Sequence, residues 1–218
     1  MPQFLAPLHK DGLKFVAIFA IVSCILYIIY KPLGLMGFVM TGWCAYFFRM
    51  PKRVTPIKEG VIIAPADGIV SLISEVEPPL DYNIGSEKRI RLSIFLNVFD
   101  VHVQRIPLAG VVEKIIYHPG KFVNAALDKA SEDNERQTVI VRSVVKGTET
   151  KIAFTQIAGL IARRILCEIK EGQSVDVGQL YGLIRFGSRV DVYLPAGVSP
   201  TVLIGQRMIG GETVLAEL

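Results

Sequence analysis

Two uncharged apolar runs dominate the N-terminus: Phe15 to Tyr30 reads FVAIFAIVSCILYIIY and, after Lys31-Pro32, Leu33 to Phe48 reads LGLMGFVMTGWCAYFF. Each run has 16 residues. As helix that is about 24 Å, slightly short of a bilayer core of about 30 Å, a gap that flanking residues or local thinning can close. A cleavable signal peptide fits poorly, because the apolar region is too long, a second run follows it and no A-x-A-like site ends it. Two alternatives stay open: a hairpin buried inside a soluble core, and a shallow interfacial hairpin, which the charge of Lys31 at the turn would suit.

These runs carry the excess in a composition that is 51% hydrophobic, too apolar for an average soluble enzyme. Lys10 and Lys14 precede them and Arg49, Lys52 and Arg53 follow, so positive-inside logic puts both ends of a hairpin on the cytoplasmic face of the cell's inner membrane. Tyr30, Trp43 and Tyr46 near the ends suit an interfacial aromatic belt. The net charge of +4 favours an anionic lipid surface, and no nucleic-acid motif accompanies it, so no nucleic-acid partner is expected. Cys24, Cys44 and Cys167 show no C-x-x-C spacing, so neither a disulfide framework nor a metal site is expected, in keeping with a reducing compartment. The expected organisation is a membrane hairpin over residues 1–53 and one further domain over residues 54–218.

Beyond residue 53 the chain is a succession of short β-rich runs broken by turn residues: VIIAP, IVSLISEV, RIRLSIFLNV, VVEKIIY, TVIVRSVV, KIAFTQIA and LIRFGSRVDVYLP. Their spacing of roughly 8 to 15 residues, without a long amphipathic helical period, predicts an all-β sandwich or barrel. APADGIVSLI and GQSVDVGQLYGLIRFG both set an acidic or Gly-rich tight turn between alternating strands, as in the flattened sandwiches that carry lipoyl or biotinyl groups. The expected fold is therefore mostly β, two packed lipoyl/biotinyl-like flattened sandwich halves behind a helical hairpin. GLIARRILCEIK reads as strand or helix, EPPLDYNIGSEK as an exposed loop, and LDKASEDNERQ as an exposed loop with room for a little helix.

His102, in NVFDVHVQRIP, and His118, in YHPGKF, are the only imidazoles past the leader. Taken singly, a histidine at a strand end is usually a packing residue, and Asp67 in PADG is a turn aspartate. No G-x-S-x-G elbow, Walker loop, H-E-x-x-H or G-x-G-x-x-G is present. The glycine of LIRFGSRVDVYLP stands out, since glycine inside a strand marks a bulge or a close approach to the backbone.

In combination, PADG, DVHVQRIPLAG, YHPGKF and the C-terminal FGSRVDVYLP follow the order and approximate spacing of the phosphatidylserine decarboxylase family, which the chain resembles from about residue 55 to its end. The apolar hairpin resembles that of the family's short form. The resemblance implies a proenzyme in which the Ser188 hydroxyl attacks the Gly187 carbonyl. The resulting ester breaks to leave a pyruvoyl group at position 188, the only prosthetic group, and two chains, 1–187 and 188–218, that stay together as a heterodimer. It further implies decarboxylation of phosphatidylserine to phosphatidylethanolamine through a Schiff base on the pyruvoyl ketone. His102 is implied as base or proton donor, oriented by Asp67, with His118 as a further candidate. Arg105 and Lys121 are candidates for the lipid phosphate, from charge alone. Arg105 also stands where the longer bacterial form has a second histidine in H-x-x-H-x-P, so that residue's role passes to His102 or to another group. Two alternatives remain: a membrane-anchored β-sandwich binding domain in which the glycine is a bulge, and a pyruvoyl enzyme for a soluble amino acid.

Overall fold

The computed structural model describes residues 6–120, 134–159, 164–185 and 188–218, and the chain separates into Met1–Lys52 and Arg53–Leu218. In the first unit, helices α1 (Lys10–Ile29) and α2 (Lys31–Phe47) meet at Tyr30, an extended residue that ends one and begins the other. Pro32 falls in the first turn of α2, where its missing N–H leaves no bond unmade. α1 begins ahead of the apolar run: the His9 ring accepts the Asp11 N–H at 3.2 Å, and Asp11 pairs with Lys14 at 2.8 Å. Its 20 residues extend about 30 Å, the thickness of a bilayer core.

Small residues set the distance between the two helices. A Cβ on Gly34 would lie 2.2 Å from the Tyr27 Cα, and one on Gly37 would lie 2.6 Å from the Ser23 hydroxyl. The Ser23 and Thr41 hydroxyls are 3.1 Å apart across this contact, the arrangement that joins helices in lipid. Ile21, Ile25, Ile28 and Val39 face outward and are exposed, and only 11% of the apolar window of α1 is buried. A hairpin serving as a soluble core would bury these side chains. The unit is instead consistent with membrane association.

The second unit is antiparallel β. One curled sheet runs in the order β12 (Arg207–Met208), β2 (Gly68–Val76), β3 (Arg89–Leu96), β11 (Ser188–Tyr193), β7 (Thr148–Ala158), β6 (Arg136–Val145), β5 (Gly110–His118), β9 (Ser174–Val175). A smaller sheet has the order β4 (Val103–Arg105), β10 (Leu180–Ile184), β8 (Ile165–Cys167), and β1 (Val61–Ile63) pairs with β13 (Val214–Glu217). The β6–β7 hairpin turns on Lys146-Gly147, both at positive φ, 49° and 81°, as a two-residue loop matched to strand twist requires. Alternation along β3, β7 and β11 sends Ile94, Leu96, Phe154, Val190 and Val192 into one core with Ile106, Tyr181 and Ile184. This is the β-sandwich behind a helical hairpin that the alternating runs predicted. The two acidic turns that read alike meet around one strand end: the Arg105 N–H donates to Pro65 O at 2.8 Å, and the Ile106 N–H to Gln179 O at 2.8 Å.

Two expectations change. Residues 77–88 do not form a plain exposed loop; they contain a 3-10 turn, Leu80–Tyr82, and bury Tyr82 and Ile84 against Ile140, Ala153 and Tyr193 on the second face of the large sheet. Tyr82 also joins Thr138 and Thr155 through hydroxyl contacts of 2.9 and 3.2 Å. A sheet apolar on both faces has to be covered on both, and short loops do that work as well as helices. The ambiguous GLIARRILCEIK is strand at Ile165–Cys167, while its residues 160–163 lie outside the described residues. Residues 127–133 of LDKASEDNERQ also lie outside them, and Arg136 and Gln137 open β6.

Candidate active site

Ser188 is the first residue of β11, at the point where the chain leaves the small sheet at Ile184 and enters the centre of the large one. Its register partners are Leu96 on β3 and Ala158 on β7. Ala158 is the small neighbour: it leaves space on the core face beside the serine. Ser188 is fully buried, and its hydroxyl has no hydrogen-bond partner among the described residues. An unpaired buried hydroxyl costs about 1–3 kcal/mol, which a purely structural position would shed by mutation to alanine. Gly187 lies outside the described residues.

His102 is fully buried beside this crossing, its backbone carbonyl accepting the Ile184 N–H at 3.3 Å. Its Nδ1 is 3.0 Å from the carbonyl oxygen of Asp100. A carbonyl only accepts, so Nδ1 presents a proton to it. Asp67 accepts from Arg53 Nη2 at 2.7 and 2.9 Å and from the Gly210 N–H at 2.8 Å. The structure thus joins Asp67 to Arg53, and the imidazole to the Asp100 main chain. Burial pushes the Asp67 carboxyl above its ordinary range, against the opposing pull of Arg53 and of the Gly210 N–H, and the Asp100 charge adds to the rise.

Arg105 donates from Nη1 to Gly178 O at 2.8 Å, so its guanidinium is engaged in tying two turns together. Burial lowers its pKa, with the Arg53 charge acting in the same direction and Asp67 and Glu212 opposing. His118 is at the far side of the sheet: in register it faces Arg136 on β6, Arg136 faces Ile157 on β7, and Ile157 faces Arg189 on β11. Three interstrand steps are roughly 14 Å. There His118 Nε2 pairs with Asp81 at 3.2 Å, both side chains partly exposed. Such a pair contributes little, so His118→Ala is expected to keep chain cleavage and to keep kcat/KM within about twofold, checked by gel and by steady-state assay. Lys121 lies outside the described residues.

The structure also joins several residues the sequence did not single out. Arg189 and Asp191 form an ion pair on β11 at 2.9 Å with side chains 2% and 1% exposed. The R-x-D spacing in a strand was a usable signal, since i and i+2 share a face. Arg53 looked like the end of a basic membrane flank, and only its contact with Asp67 gives it another role. Gln104 and Gln156 were polar interruptions of apolar runs; they are fully buried and joined at 2.9 Å. A cleft of about 570 Å³ is lined by Ile84, Arg89, Lys151 and Pro195. It lies at the other end of β11, roughly 17 Å along the strand from Ser188.

An apolar helical hairpin joined to a β-sandwich, with a buried serine whose hydroxyl has no hydrogen-bond partner among the described residues, describes a class of protein consistent with membrane association. The family model described as phosphatidylserine decarboxylase matches residues 40–216. Three relatives carry the description phosphatidylserine decarboxylase proenzyme. That of Cereibacter sphaeroides is 55% identical over 218 residues, covering 100% of this chain and 93% of its own. That of Paramagnetospirillum magneticum is 53% identical over 212 residues, covering 97% and 87%, and that of Ruegeria pomeroyi 53% over 215 residues, covering 99% and 97%. The chain belongs to the phosphatidylserine decarboxylase family.

Proposed function

We propose that this chain is a proenzyme that cuts itself between Gly187 and Ser188 and then decarboxylates phosphatidylserine to phosphatidylethanolamine at the membrane. The observation that carries the reading is the Ser188 hydroxyl, buried and without a partner among the described residues at the head of a central strand. In the first step Ser188 Oγ adds to the Gly187 carbonyl carbon, its proton passing to His102 Nε2. The Gly187–Ser188 C–N bond breaks and the amine is protonated, leaving an ester. β-Elimination then releases the Gly187 carboxylate, and hydrolysis releases ammonia and leaves pyruvoyl at position 188. The contact of His102 Nδ1 with Asp100 O supports this role, because it fixes the tautomer a base needs.

The residues around position 188 suit such a group: Ala158 leaves it room, and Leu96, Val190 and Ile94 exclude water. Once formed, the pyruvoyl ketone supplies a covalent electron sink for loss of carbon dioxide from the head group. His102 is the group placed to hold and return the proton that replaces the carboxylate. Asp67 keeps Arg53 and the Gly210 turn in place beside Arg105. Arg105 and Lys121 remain the phosphate-holding candidates. The two product chains stay together through β11, which is paired on both sides within the large sheet. The hairpin anchors the protein to the inner membrane, with the β domain on the cytoplasmic side, and delivers it to its lipid.

Intact mass and denaturing gels test the proposal. Active protein is expected as two pieces of about 20 and 3 kDa, by residue share of 24.0 kDa, the smaller blocked at its N-terminus and reactive toward carbonyl reagents. Active protein that remains one chain defeats it.

A further inference from the structure

We propose that Gln104 and Gln156, beside Tyr181, form a subsite next to Ser188 for the α-amino carboxylate of the substrate head group. The inference rests on the function proposed above. All four residues are fully buried. Gln156 Nε2 donates to Gln104 Oε1 at 2.9 Å and reaches Leu166 O at 3.4 Å. That leaves Gln104 Nε2, Gln156 Oε1, the Tyr181 hydroxyl and the Ser188 hydroxyl with no hydrogen-bond partner among the described residues. Buried polar groups are nearly always satisfied; the serine hydroxyl is used up in the cleavage proposed above, and the three orphans that outlast it, on strands of two facing sheets, mark a place kept ready for a ligand.

The topology brings them together. Gln156 faces Val190 and Ala158 faces Ser188, so Gln156 and Ser188 point to the same side of the large sheet, one same-face step apart, roughly 7 Å. Gln104 pairs in register with Gly182, next to Tyr181. Gly182 keeps the space open: a Cβ there would lie 3.0 Å from Gln156 Nε2 and 2.2 Å from Leu166 O. Tyr181 packs edge-on against Phe154, which shares the face of Gln156 on β7.

The unmet groups specify the ligand. One carboxamide N–H asks for an acceptor and one carboxamide oxygen for a donor, and reversing both amides leaves the same inventory. An α-amino carboxylate carries one of each. Neutral amides also suit a reaction in which the carboxylate is lost, since a cation at this point would hold the negative charge in place and oppose its departure. The ethanolamine product has no acceptor for the Gln104 N–H, which weakens its hold relative to the substrate.

The test is the Gln104→Met/Gln156→Met double variant of the full chain in detergent micelles, beside wild type. Cleavage is read by mass, stability by thermal unfolding, turnover with phosphatidylserine, and competition with glycerophosphoserine and glycerophosphoethanolamine. Replacing both partners with apolar side chains of similar shape removes the orphans, so Tm should hold or rise by a few degrees. The variant should still be cleaved, with kcat/KM lowered about 10- to 100-fold and glycerophosphoserine competing correspondingly less well, while glycerophosphoethanolamine is unchanged. A lower Tm assigns the pair a packing role and overturns the proposal. So does an uncleaved variant, or a cleaved one with wild-type kcat/KM. Wild-type protein inactive on phosphatidylserine would defeat the functional reading itself, a result separate from any of these.

Discussion

A Ser188→Ala chain is expected to run as a single band of 24.0 kDa, without a carbonyl-reactive N-terminus, and to lose turnover by more than about 10³-fold. The loss is large because, in the proposed reaction, one residue serves twice: the hydroxyl oxygen is the nucleophile of the cut, and the serine's carbons become the reactive group. No neighbouring side chain can replace it. The same substitution should leave Tm unchanged or slightly raised, because it removes a buried hydroxyl that has no partner among the described residues. That pairing of outcomes separates a chemical defect from misfolding. Turnover near the wild-type value in an uncut Ser188→Ala chain would refute the role of the residue.

The second large effect is expected one position further along. Arg189→Met leaves the Asp191 carboxylate, 1% exposed, without the guanidinium 2.9 Å away. Removing one member of a buried ion pair costs about 3–5 kcal/mol, roughly 10 °C in Tm for a domain of this size. Adding Asp191→Leu should recover most of that loss, since the apolar pair removes both desolvation costs. Thermal unfolding of the two singles and the double, all in the uncut Ser188→Ala background, closes the cycle. Equal stability of Arg189→Met and its parent would show that the pair contributes nothing. The position matters for function because β11 is held by this pair on one face and by Val190 and Val192 on the other, with Ser188 at its end.

Local chemistry made much of the molecule legible in the amino-acid order. Uncharged runs broken at Lys31-Pro32 state a helix pair whatever surrounds them, because the break and the apolar faces are properties of adjacent residues. Alternation states a strand, Lys146-Gly147 states a tight hairpin, and the glycine before Ser188 marks an interruption. The candidate serine and histidine were reachable by the same route, with the family resemblance supplying their meaning. Less legible was the loop at residues 77–88: its prolines and charges signal exposure, while Tyr82 and Ile84 are drawn inward by an apolar sheet face formed by strands more than 50 residues away.

Pairing between side chains distant in sequence belongs to the tertiary structure alone. Arg53 meets the Asp67 carboxylate, and Asp100 O accepts from the His102 ring. Gln104 and Gln156 meet across two sheets, 52 positions apart. His118, in a motif that reads as well as any other, is carried three strands away to Asp81. Periodicity encodes which way a side chain points; which partner it meets depends on strand order and register, and those are set only when the whole core closes. The sequence by itself determined a helix pair, a β-sandwich and a serine at a break in a strand, and the tertiary structure decided which groups surround that serine.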